Sequence, residues 1–318
     1  MTSNPQVSVI IPNWNGAALL PSCLDALRRQ TYAPLEIVVV DNASRDNSIL
    51  LLREHYADVN LIELPENRGL TGAVNAGIRA NDAEIIALLN NDAEAESTWV
   101  ARLVEALEAR PDAGSAASKM RLFDRPDVLN SAGDTYGLDG LPANRGVWEV
   151  DAGQYDAMAD VFGACGGAAA YRRAMLDEIG LFDEDLFMYC EDVDIAWRAQ
   201  VAGYRCVFAP QSIVYHRLSA TGGGKTASYY TGRNTLWVIA KDYPPALLRR
   251  HWPLVAKAQL RIAWDALRNW RGEAARARLR GQWAGLRGFS RWRQKRAAVY
   301  ARRRVSDGIL ETLMRCPS

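Results

Sequence analysis

Short apolar runs alternate with amphipathic segments along the first 110 residues of this 318-residue chain. Four runs rich in Val, Ile and Leu predict buried strands: 7–11, 37–40, 61–64 and 85–89. Apolar side chains at helical spacing predict four helices: 17–30, one capped by Ser44, 71–80, and one capped by Ser97. Continuous apolar strands separated by helices are typical of a parallel sheet covered on both faces, so the pattern predicts an α/β fold.

A polar residue follows three of the predicted strands: Asn13 the first, Asp41 the second and Asp92 the fourth. In an open parallel sheet, ligands bind outside the carboxyl ends of the strands. We therefore expect these three side chains to meet at one edge of the sheet, as the first candidate site. Any one of them alone is equally well explained by turn formation, because Asn and Asp commonly end strands.

The regular alternation fades after residue 120. Residues 121–160 contain Asp, Gly and Pro at the density of loops and predict an irregular excursion, followed by a run of small residues at 162–171. The remaining elements are predicted as two helices and two short strands: 172–179, a helix from Glu191 to Gly203, 207–208 and 213–215.

Composition excludes several classes of protein. Hydrophobic residues make up 49% of the chain and charged residues 24%, which excludes a disordered or collagen-like chain. No stretch approaches about 18 uncharged apolar residues, and the first residues lack the basic and apolar regions of a signal peptide. The five cysteines are scattered without a CxxC pair, so we expect a reducing cytoplasm rather than disulfides or a zinc site.

The net charge of +1 conceals a strongly basic C-terminal part. Residues 249–304 contain 17 Lys and Arg against two acidic residues, a net charge of +15, whereas the rest of the chain sums to −14. Five of the ten tryptophans lie in the same segment: Trp252, Trp264, Trp270, Trp283 and Trp292. We therefore divide the chain into a body, 1–240, and a basic, Trp- and Arg-rich helical C-terminal region, 241–318.

The C-terminal region leaves three interpretations open. A basic amphipathic surface with tryptophans suits an anionic membrane interface. Arginine and aromatic side chains also suit the phosphates and bases of RNA. A segment that packs on the body or mediates oligomerisation needs neither partner.

Two common nucleotide-binding motifs are missing from their usual place. No G-x-G-x-x-G follows the first strand. The run GGGKT at 222–226 resembles the end of a phosphate loop, but Ser219 stands where its first glycine would be. A Rossmann dehydrogenase and a P-loop kinase are therefore not indicated.

Seven sequence blocks do carry a family resemblance. In chain order they are VSVIIPNWNG (7–16), EIVVVDNAS (36–44), NRGLTGAVNAGI (67–78), ALLNNDAE (87–94), GACGGAAAYRR (163–173), LFDEDLFMYCEDVDIAWRAQVAGY (181–204) and VYHRLSAT (214–221). Together they resemble glycosyltransferase family 2, inverting enzymes that use nucleotide-sugars. The resemblance covers about residues 5–240 and implies a GT-A fold, a Rossmann-like and mostly parallel sheet with helices on both faces. The block FMYCEDVDIAWR looks most like the bacterial rhamnosyltransferase-type members.

A divalent cation fits this chemistry. The nucleotide-diphosphate leaving group gathers negative charge that Mg²⁺ or Mn²⁺ on oxygen ligands can stabilise, and Asp92 at a strand end is a natural ligand. The family's acidic D-x-D motif reads Asn90, Asn91 and Asp92 here, so one carboxylate remains. The resemblance also implies a metal or diphosphate contact from His216, although a lone histidine is more often structural.

The nucleotide side of the site begins with Asp41, whose carboxylate can accept hydrogen bonds from a nucleobase imide or from sugar hydroxyls. The resemblance implies that the nucleotide-sugar is also contacted by Pro12, Asn13, Asn15, Asn67, Arg68, Gly69, Asn75 and Asn91. For Asn75, turn formation by Asn and Gly is an equal alternative.

Inverting transfer requires a carboxylate that removes the proton of the acceptor hydroxyl. The resemblance assigns this chemistry to the pair Glu191 and Asp192, with Asp192 as the base. Acidic residues in a first helical turn also favour the helix dipole, and for Asp194 we expect only that role. Gly166 and Gly167 are expected close to the acceptor, with a β-bulge as the alternative.

We therefore expect a cytoplasmic transferase, peripheral on the inner face of the cytoplasmic membrane. It would move a sugar, with L-rhamnose from a dTDP-sugar as the expected donor, to a polysaccharide or lipid-linked glycan; a UDP- or GDP-sugar is the alternative donor. A nucleic-acid-binding protein with a degenerate transferase body is the rival class. The joint presence of the acidic residues and His216 argues against that rival, so no nucleic-acid partner is expected.

Overall fold

The computed structural model describes residues 4–218 and 224–314. Its first part alternates strands and helices: β1 (Val7–Asn13), α1 (Leu20–Arg28), β2 (Leu35–Asp41), α2 (Ser48–His55), β3 (Asn60–Glu63), α3 (Gly69–Arg79), β4 (Ile85–Leu89), β5 (Ala93–Ala95), α4 (Trp99–Ala109) and β6 (Ala113–Leu122). Short strands fill the irregular excursion: β7 (Leu129–Ser131), β8 (Asp134–Tyr136), β9 (Pro142–Asn144) and β10 (Ala159–Val161). The rest comprises β11 (Ala168–Arg172), α5 (Arg173–Ile179), α6 (Glu191–Val201), β12 (Arg205–His216), α7 (Gly224–Lys241), α8 (Pro245–Arg268), α9 (Glu273–Tyr300) and α10 (Asp307–Met314).

Ten strands form one mixed sheet, whose main path runs β10-β12-β6-β11-β4-β1-β2-β3. The strands β3, β2, β1 and β4 are parallel neighbours, and β6 and β12 are parallel to each other. Strand β11 lies antiparallel between β4 and β6 and joins the two parallel groups. The predicted α/β fold with a helical C-terminal region is confirmed; the sheet itself is mixed, with four parallel and five antiparallel strand pairings.

The sheet is covered on both faces because its central strands are apolar on both. In β1, Val9 and Ile11 belong to a core cluster that includes residues of α1 and α4, whereas Ile10 faces the cluster that includes residues of α3, α5 and α6. This alternation is the period-two geometry of a strand. Burial on both sides fixes the register of the strands, and therefore the positions of the residues that follow them.

Two central strands lacked a signal in the sequence. Both β6 and β11 consist largely of Ala, Ser and Gly, so no β-branched run marks them. They are nevertheless buried, and their small side chains allow close packing of the layers on either side. At Gly114, for example, an added methyl group would overlap the side chain of Met175.

Two predicted details of the boundaries are wrong. The predicted strands 207–208 and 213–215 are one strand, β12, interrupted by a register shift between Ala209 and Ile213. The helices α2 and α4 are preceded by Asn47 and Thr98 as N-cap residues, not by Ser44 and Ser97.

The C-terminal helices are packed against the body. Helix α9 lies along α7, and a methyl group at Gly281 would overlap the backbone carbonyl of Tyr229. Trp292 of α9 is buried and stacks on Trp237 of α7 with 4.7 Å between ring centroids. A core cluster joins side chains of α6 to side chains of α7, α8, α9 and α10. The basic region therefore shares a hydrophobic core with the body.

Within residues 4–218 and 224–314, none of the helices combines the length and the apolar character needed to cross a membrane. The four cysteines in the described part of the chain are free thiols: Cys23, Cys165, Cys190 and Cys206. Cys316 and most of the 219–226 stretch considered above as a phosphate loop lie outside the described residues.

Candidate active site

The carboxyl ends of β1, β2 and β4 bring the predicted polar residues together. The side-chain amide of Asn13 donates to Asp41 Oδ2 over 3.0 Å, and that of Asn91 donates to Asn13 Oδ1 over 2.7 Å. All three side chains are almost fully buried. A methyl group at Gly16 would overlap both amides, which explains the glycine beside them. Asn13 and Asp41 meet as expected, and the contact from the end of β4 is made by Asn91, the residue before Asp92.

Backbone amides hold the loop that follows β2. Asp41 Oδ1 accepts from the amide of Ser44 over 2.9 Å, and Ser44 Oγ accepts from the amide of Asn15 over 2.8 Å. In turn Asn15 Oδ1 accepts from the amide of Arg45 over 2.7 Å. Ser44, which was predicted to cap a helix, instead connects the loops after β1 and β2. Pro12 lies in β1, paired with Val40.

The loop before α3 is organised by Asn42, which the sequence analysis did not single out. Its amide donates to Asn67 Oδ1 over 3.1 Å and to the carbonyl of Gly69 over 2.9 Å, and its Oδ1 accepts from the amide of Arg68 over 2.8 Å. The guanidinium of Arg68 forms an ion pair of 2.5 Å with Glu184. Asn67, Arg68 and Gly69 are thus held beside β2, as a loop on the predicted nucleotide side requires.

Asn75 has a different environment from the one predicted. Both hydrogens of its amide are used, in bonds to the carbonyl of Phe182 over 2.8 Å and to Glu184 Oε1 over 3.0 Å. Its Oδ1 accepts from the amide of Phe182 over 3.0 Å. The side chain therefore fixes the 182–184 segment to α3 and retains no free donor for a nucleotide.

Asp92 and His216 lie side by side, as the metal hypothesis requires. Asp92 Oδ1 is 3.2 Å from His216 Nε2, and both side chains are largely buried. His216 Nδ1 is 2.9 Å from Asn130 Oδ1. Since an amide oxygen only accepts, His216 Nδ1 donates this hydrogen bond, which orients the ring with Nε2 toward Asp92.

This donor set fits a hard divalent cation that takes its other ligands from a diphosphate and water. Among the described residues, no group of three or more His, Cys, Asp and Glu side chains is arranged so that it could hold a metal ion. Asn91, the other polar side chain of the Asn-Asn-Asp sequence that follows β4, is bonded to Asn13. The protein would therefore supply one carboxylate and one imidazole.

Asp192 lies in the first turn of α6, and backbone amides hold its carboxylate. Gly166 donates to Oδ2 over 3.0 Å and Val193 to Oδ1 over 2.8 Å. Burial raises the pKa of Asp192, although these two hydrogen bonds oppose the shift. A carboxylate with a raised pKa is a stronger base than an exposed one, which suits proton removal.

Two further carboxyl groups surround Asp192. Burial, followed by the charge of Asp192, raises the pKa of Glu191 to about 8, so Glu191 is protonated at neutral pH. Asp134 at the start of β8 is also buried, and burial together with the charge of Asp192 raises its pKa. Asp134 was missed because it lies in the irregular excursion, where the sequence indicates only loops.

The expectation that Asp194 only favours the helix dipole is wrong. Its carboxylate is fully buried and forms ion pairs of 2.9 Å with Arg198 and 2.5 Å with Lys241. Burial alone would raise the pKa of Asp194, but the positive charges of Lys241 and Arg198 lower it below its usual range. Lys241 also pairs with Asp183, so this network connects α6 to the end of α7.

Comparison with known proteins establishes the family. The family model described as Glycosyl transferase family 2 matches residues 8–180, more than half of the chain. A second model, Glycosyl transferase family group 2, matches residues 145–275. The chain therefore belongs to glycosyl transferase family 2, and the resemblance found in the sequence is confirmed at that level.

Individual relatives agree with this assignment. The chain is 32% identical to glycosyltransferase AglE of Haloferax volcanii over 263 residues, covering 76% of this chain and 77% of AglE. It is 28% identical to the O-antigen biosynthesis protein RfbC of Myxococcus xanthus over 231 residues, which are 68% of this chain but only 18% of RfbC. Among solved structures, the mannosyltransferase PcManGT of Pyrobaculum calidifontis, in complex with GDP-Man and Mn²⁺, shares the fold with a TM-score of 0.56 at 22% identity, covering 95% of this chain and 86% of that one.

Proposed function

We propose that this protein is an inverting glycosyltransferase in glycan biosynthesis, with Asp192 as the catalytic base. One observation carries the proposal: two adjacent glycines connect the base to the donor edge of the sheet. The backbone amide of Gly166 donates a hydrogen bond to Asp192. The carbonyl of Gly167 accepts one, over 3.0 Å, from the backbone amide of Asn90, which lies two residues before Asp92. A sugar held at the edge of the sheet would therefore lie within reach of the Asp192 carboxylate.

The proposed reaction is a single displacement. Asp192 removes the proton from the acceptor hydroxyl, whose oxygen forms the new bond to the anomeric carbon. The bond from that carbon to the diphosphate oxygen breaks, and the nucleotide diphosphate leaves from the opposite face, so the configuration inverts. Asp92 and His216 would hold Mg²⁺ or Mn²⁺, which when bound neutralises charge on the leaving diphosphate. Asp41, with Asn13 and the loop of Ser44, would bind the nucleoside.

The proposed donor is dTDP-L-rhamnose and the proposed acceptor a polysaccharide or lipid-linked glycan. The support for the sugar is the resemblance of the block at 187–198 to rhamnosyltransferase-type members, so UDP- and GDP-sugars are the alternatives. Release of free nucleotide diphosphate from a panel of dTDP-, UDP- and GDP-sugars, with and without Mn²⁺, tests it. If the enzyme turns over only a UDP- or GDP-sugar, that sugar replaces dTDP-L-rhamnose as the assigned donor. No turnover, combined with thermal stabilisation by RNA, would favour the rival nucleic-acid-binding class.

Glu191 offers a test that separates the two acidic neighbours. Its pKa is about 8 in the folded chain and about 4.3 in an unfolded one. Protonation of Glu191 therefore stabilises the folded chain. This contribution to the free energy of unfolding is fully present below the unfolded pKa and is lost as pH rises through the folded pKa. Glu191→Gln should therefore gain stability relative to the parent between about pH 5 and pH 9, at about 1.4 kcal/mol per pKa unit.

Thermal unfolding of both proteins at the two pH values gives the measurement. Because Gln imitates the protonated acid, transfer at neutral pH should stay within about threefold of the parent. A stability difference that does not change with pH would contradict a buried, protonated Glu191. A large loss of transfer at neutral pH would assign it a charged role.

We also propose that the enzyme is peripheral on the inner face of the cytoplasmic membrane, and that the outer face of α8 makes the contact. The buried side of this helix carries Val255, Ala258 and Ala266. On the opposite side several exposed positions are again apolar: Leu260 is 70% exposed, and Trp252, Trp264 and Leu267 are all more than half exposed. A helix that is apolar on its solvent side suits a partner that is itself apolar.

The charge of this surface supports an anionic membrane as that partner. Exposed basic residues flank the apolar positions on α8: Arg249, Arg250, Lys257, Arg261 and Arg268. Asp265 is the single acidic residue of the helix. On α9, Trp283 and Leu286 are also exposed beside Arg280 and Arg287. Aromatic and aliphatic side chains surrounded by Lys and Arg are the composition of interfacial helices, which bind anionic lipid.

Point variants test this surface better than truncation, because α9 packs on α7 and its removal would expose the core. Replacing Leu260, Trp264 and Leu267 by Ser should lower binding to vesicles containing phosphatidylglycerol by at least about tenfold, since each buried side chain contributes about 1.5–3 kcal/mol. Nucleotide-sugar turnover with a soluble acceptor should not change. The matched control, Leu50→Ser with Trp148→Ser, removes equally exposed apolar side chains elsewhere. Equal binding by both variants, or binding of RNA instead of vesicles, would exclude the proposal.

A further inference from the structure

The segment that leads into α6 has an unusual backbone. Phe187, Tyr189 and Cys190 all have positive φ angles, of 68°, 65° and 64°. Non-glycine residues are uncommon in this region, and bulky aromatic ones are unfavourable there. Such residues persist only where surrounding contacts over-determine them, and they concentrate at functional sites. Here they come directly before Glu191 and Asp192.

A single side chain of α7 holds this segment. Asn234 is fully buried, and its amide group donates to three backbone carbonyls: Leu186 over 3.1 Å, Met188 over 2.9 Å and Tyr189 over 2.7 Å. Its Oδ1 accepts from Arg233 Nε over 2.8 Å. An amide offers two hydrogens, so the three carbonyls share them. The positive-φ turns direct these carbonyls toward one point on α7.

Neighbouring residues of α7 reinforce the contact. Arg233 Nη2 donates to the carbonyl of Leu186 over 2.8 Å. The ring of Tyr230 stacks on Phe187 with 5.4 Å between centroids. Asn234 is therefore the centre of a buried polar contact in which every partner belongs to the 185–190 segment or to α7.

The 186–190 segment connects the loop at Gly69, on the proposed nucleotide side, to the proposed base Asp192. The carbonyl of Phe187 accepts from the amide of Thr71 in α3 over 3.2 Å, and a methyl group at Gly69 would overlap the same carbonyl. At its other end the segment continues into α6, where Asp192 meets the amide of Gly166. A displacement of the segment would therefore move the base relative to the loop at Gly69.

We propose that Asn234 is a positioning residue for the transfer reaction. By holding the 186–190 segment, it sets where Asp192 lies relative to the donor. This inference rests on the proposed function, because Asn234 acts through Asp192 and does not touch substrate. It assigns to α7 a role in catalysis that no motif in the sequence indicates.

Asn234→Ala is expected to lower kcat by about 10²-fold, the usual cost of a misplacement of about 1 Å. The affinity for the nucleotide should stay within about threefold, because the side chains of Asn13 and Asp41 are held by hydrogen bonds to each other, to Asn91 and to Ser44. The acidic limb of the pH profile should also shift, since Asp192 loses part of its fixed environment. Asn234→Ser keeps one hydrogen-bond donor, so its kcat should lie between that of Asn234→Ala and that of the parent.

The control is Gln282→Ala. Gln282 is also a buried amide of the C-terminal helices, bonded to the carbonyl of Gln259 over 3.1 Å, and it has no hydrogen bond to the 186–190 segment. It should lose thermal stability as Asn234→Ala does while keeping kcat within about threefold. If both variants lose kcat in proportion to stability, Asn234 is merely structural and the proposal is overturned.

Two measurements separate this proposal from the assignment of the base. In the Asp192→Asn background, Asn234→Ala should cause no further loss of kcat, because residues that act through one group are not additive. Independently of activity, hydrogen exchange at the amides of Gly166 and Val193 should accelerate about tenfold in Asn234→Ala alone, since both amides bind Asp192. Unchanged exchange would overturn the positioning role. Full turnover by Asp192→Asn would instead overturn the base.

Discussion

Replacing Asp192 by Asn is expected to lower the rate of transfer by about 10²–10⁴-fold, the usual contribution of a general base. Asn keeps the size of the side chain, and its Oδ1 can still accept from an amide of Gly166 or Val193. It cannot take up a proton at neutral pH. Binding of the nucleotide-sugar should persist, because the candidate nucleotide contacts lie at the ends of β1 and β2. Isothermal titration and initial rates measure the two effects separately.

The pH profile of the parent enzyme gives a second measurement of the same group. Since burial raises the pKa of Asp192 above the usual aspartate value, kcat/KM should rise with pH over a range above that value as the carboxylate forms. The Asn variant should lose this limb. A residual activity that keeps the same acidic limb would show that another group is the base.

Asp194→Asn cannot serve as the mild control for this experiment. The carboxylate of Asp194 is buried between Arg198 and Lys241, and removing its charge would leave the buried Arg198 without its ion-pair partner and take one of two carboxylate partners from Lys241. Asp82 is a better control, because it is exposed in the turn before β4. Asp82→Asn should keep full activity. Similar, small losses at Asp82 and Asp192, with the fold intact, would mean that Asp192 is structural.

The sequence predicts the N-terminal half of the sheet well because its strands are apolar on both faces. The runs that became β1, β2 and β4 are rich in Val, Ile and Leu, and parallel order then places Asn13, Asp41 and the end of β4 together. By contrast, β6 and β11 are buried although they are not strongly hydrophobic, because their small side chains fit between closely packed layers. Their Ala and Ser residues carry no periodic signal, although they occupy the centre of the sheet.

The partners of the site residues are harder to predict, because they depend on contacts between distant segments. Asn130 beside His216, and Asn234 beside the 186–190 segment, are single polar residues with nothing unusual in their local sequence. Asp194 illustrates the same limit. The first turn of a helix already accounts for an acidic residue, so its ion pair with Lys241, 47 positions later, leaves no local trace.

The tryptophans of the C-terminal region show how one composition serves two purposes. Trp292 is buried against Trp237 and belongs to the shared core, whereas Trp252, Trp264, Trp270 and Trp283 are each more than half exposed. Counting aromatic and basic residues cannot separate these groups. Helical geometry can, because the exposed positions Leu260, Trp264 and Leu267 recur every three or four residues on one side of α8.

Asp92→Ala is expected to abolish transfer and to remove the dependence of nucleotide binding on Mn²⁺. The reason is the small number of ligands. The D-x-D position contains only one carboxylate, Asn91 is bonded to Asn13, and beside Asp92 the proposed second ligand is His216. Titration of the nucleoside diphosphate with and without Mn²⁺ measures the coupling between the two ligands. In the parent, Mn²⁺ should strengthen binding of the diphosphate, whereas in Asp92→Ala the two titrations should coincide.

His216→Ala provides the graded comparison. It removes the nitrogen ligand but leaves the carboxylate, whose charge contributes most to holding a hard cation. Transfer should therefore fall by less than in Asp92→Ala, and raising the Mn²⁺ concentration should restore part of it. Asn130→Ala should resemble a mild form of His216→Ala, because Asn130 orients the ring and fixes its tautomer. Unchanged turnover in Asp92→Ala would exclude the metal assignment. If His216→Ala and Asn130→Ala lose transfer equally, and added Mn²⁺ does not restore it, His216 contacts the diphosphate directly. The loss of a metal ligand can be compensated by more metal, whereas the loss of a direct hydrogen bond cannot.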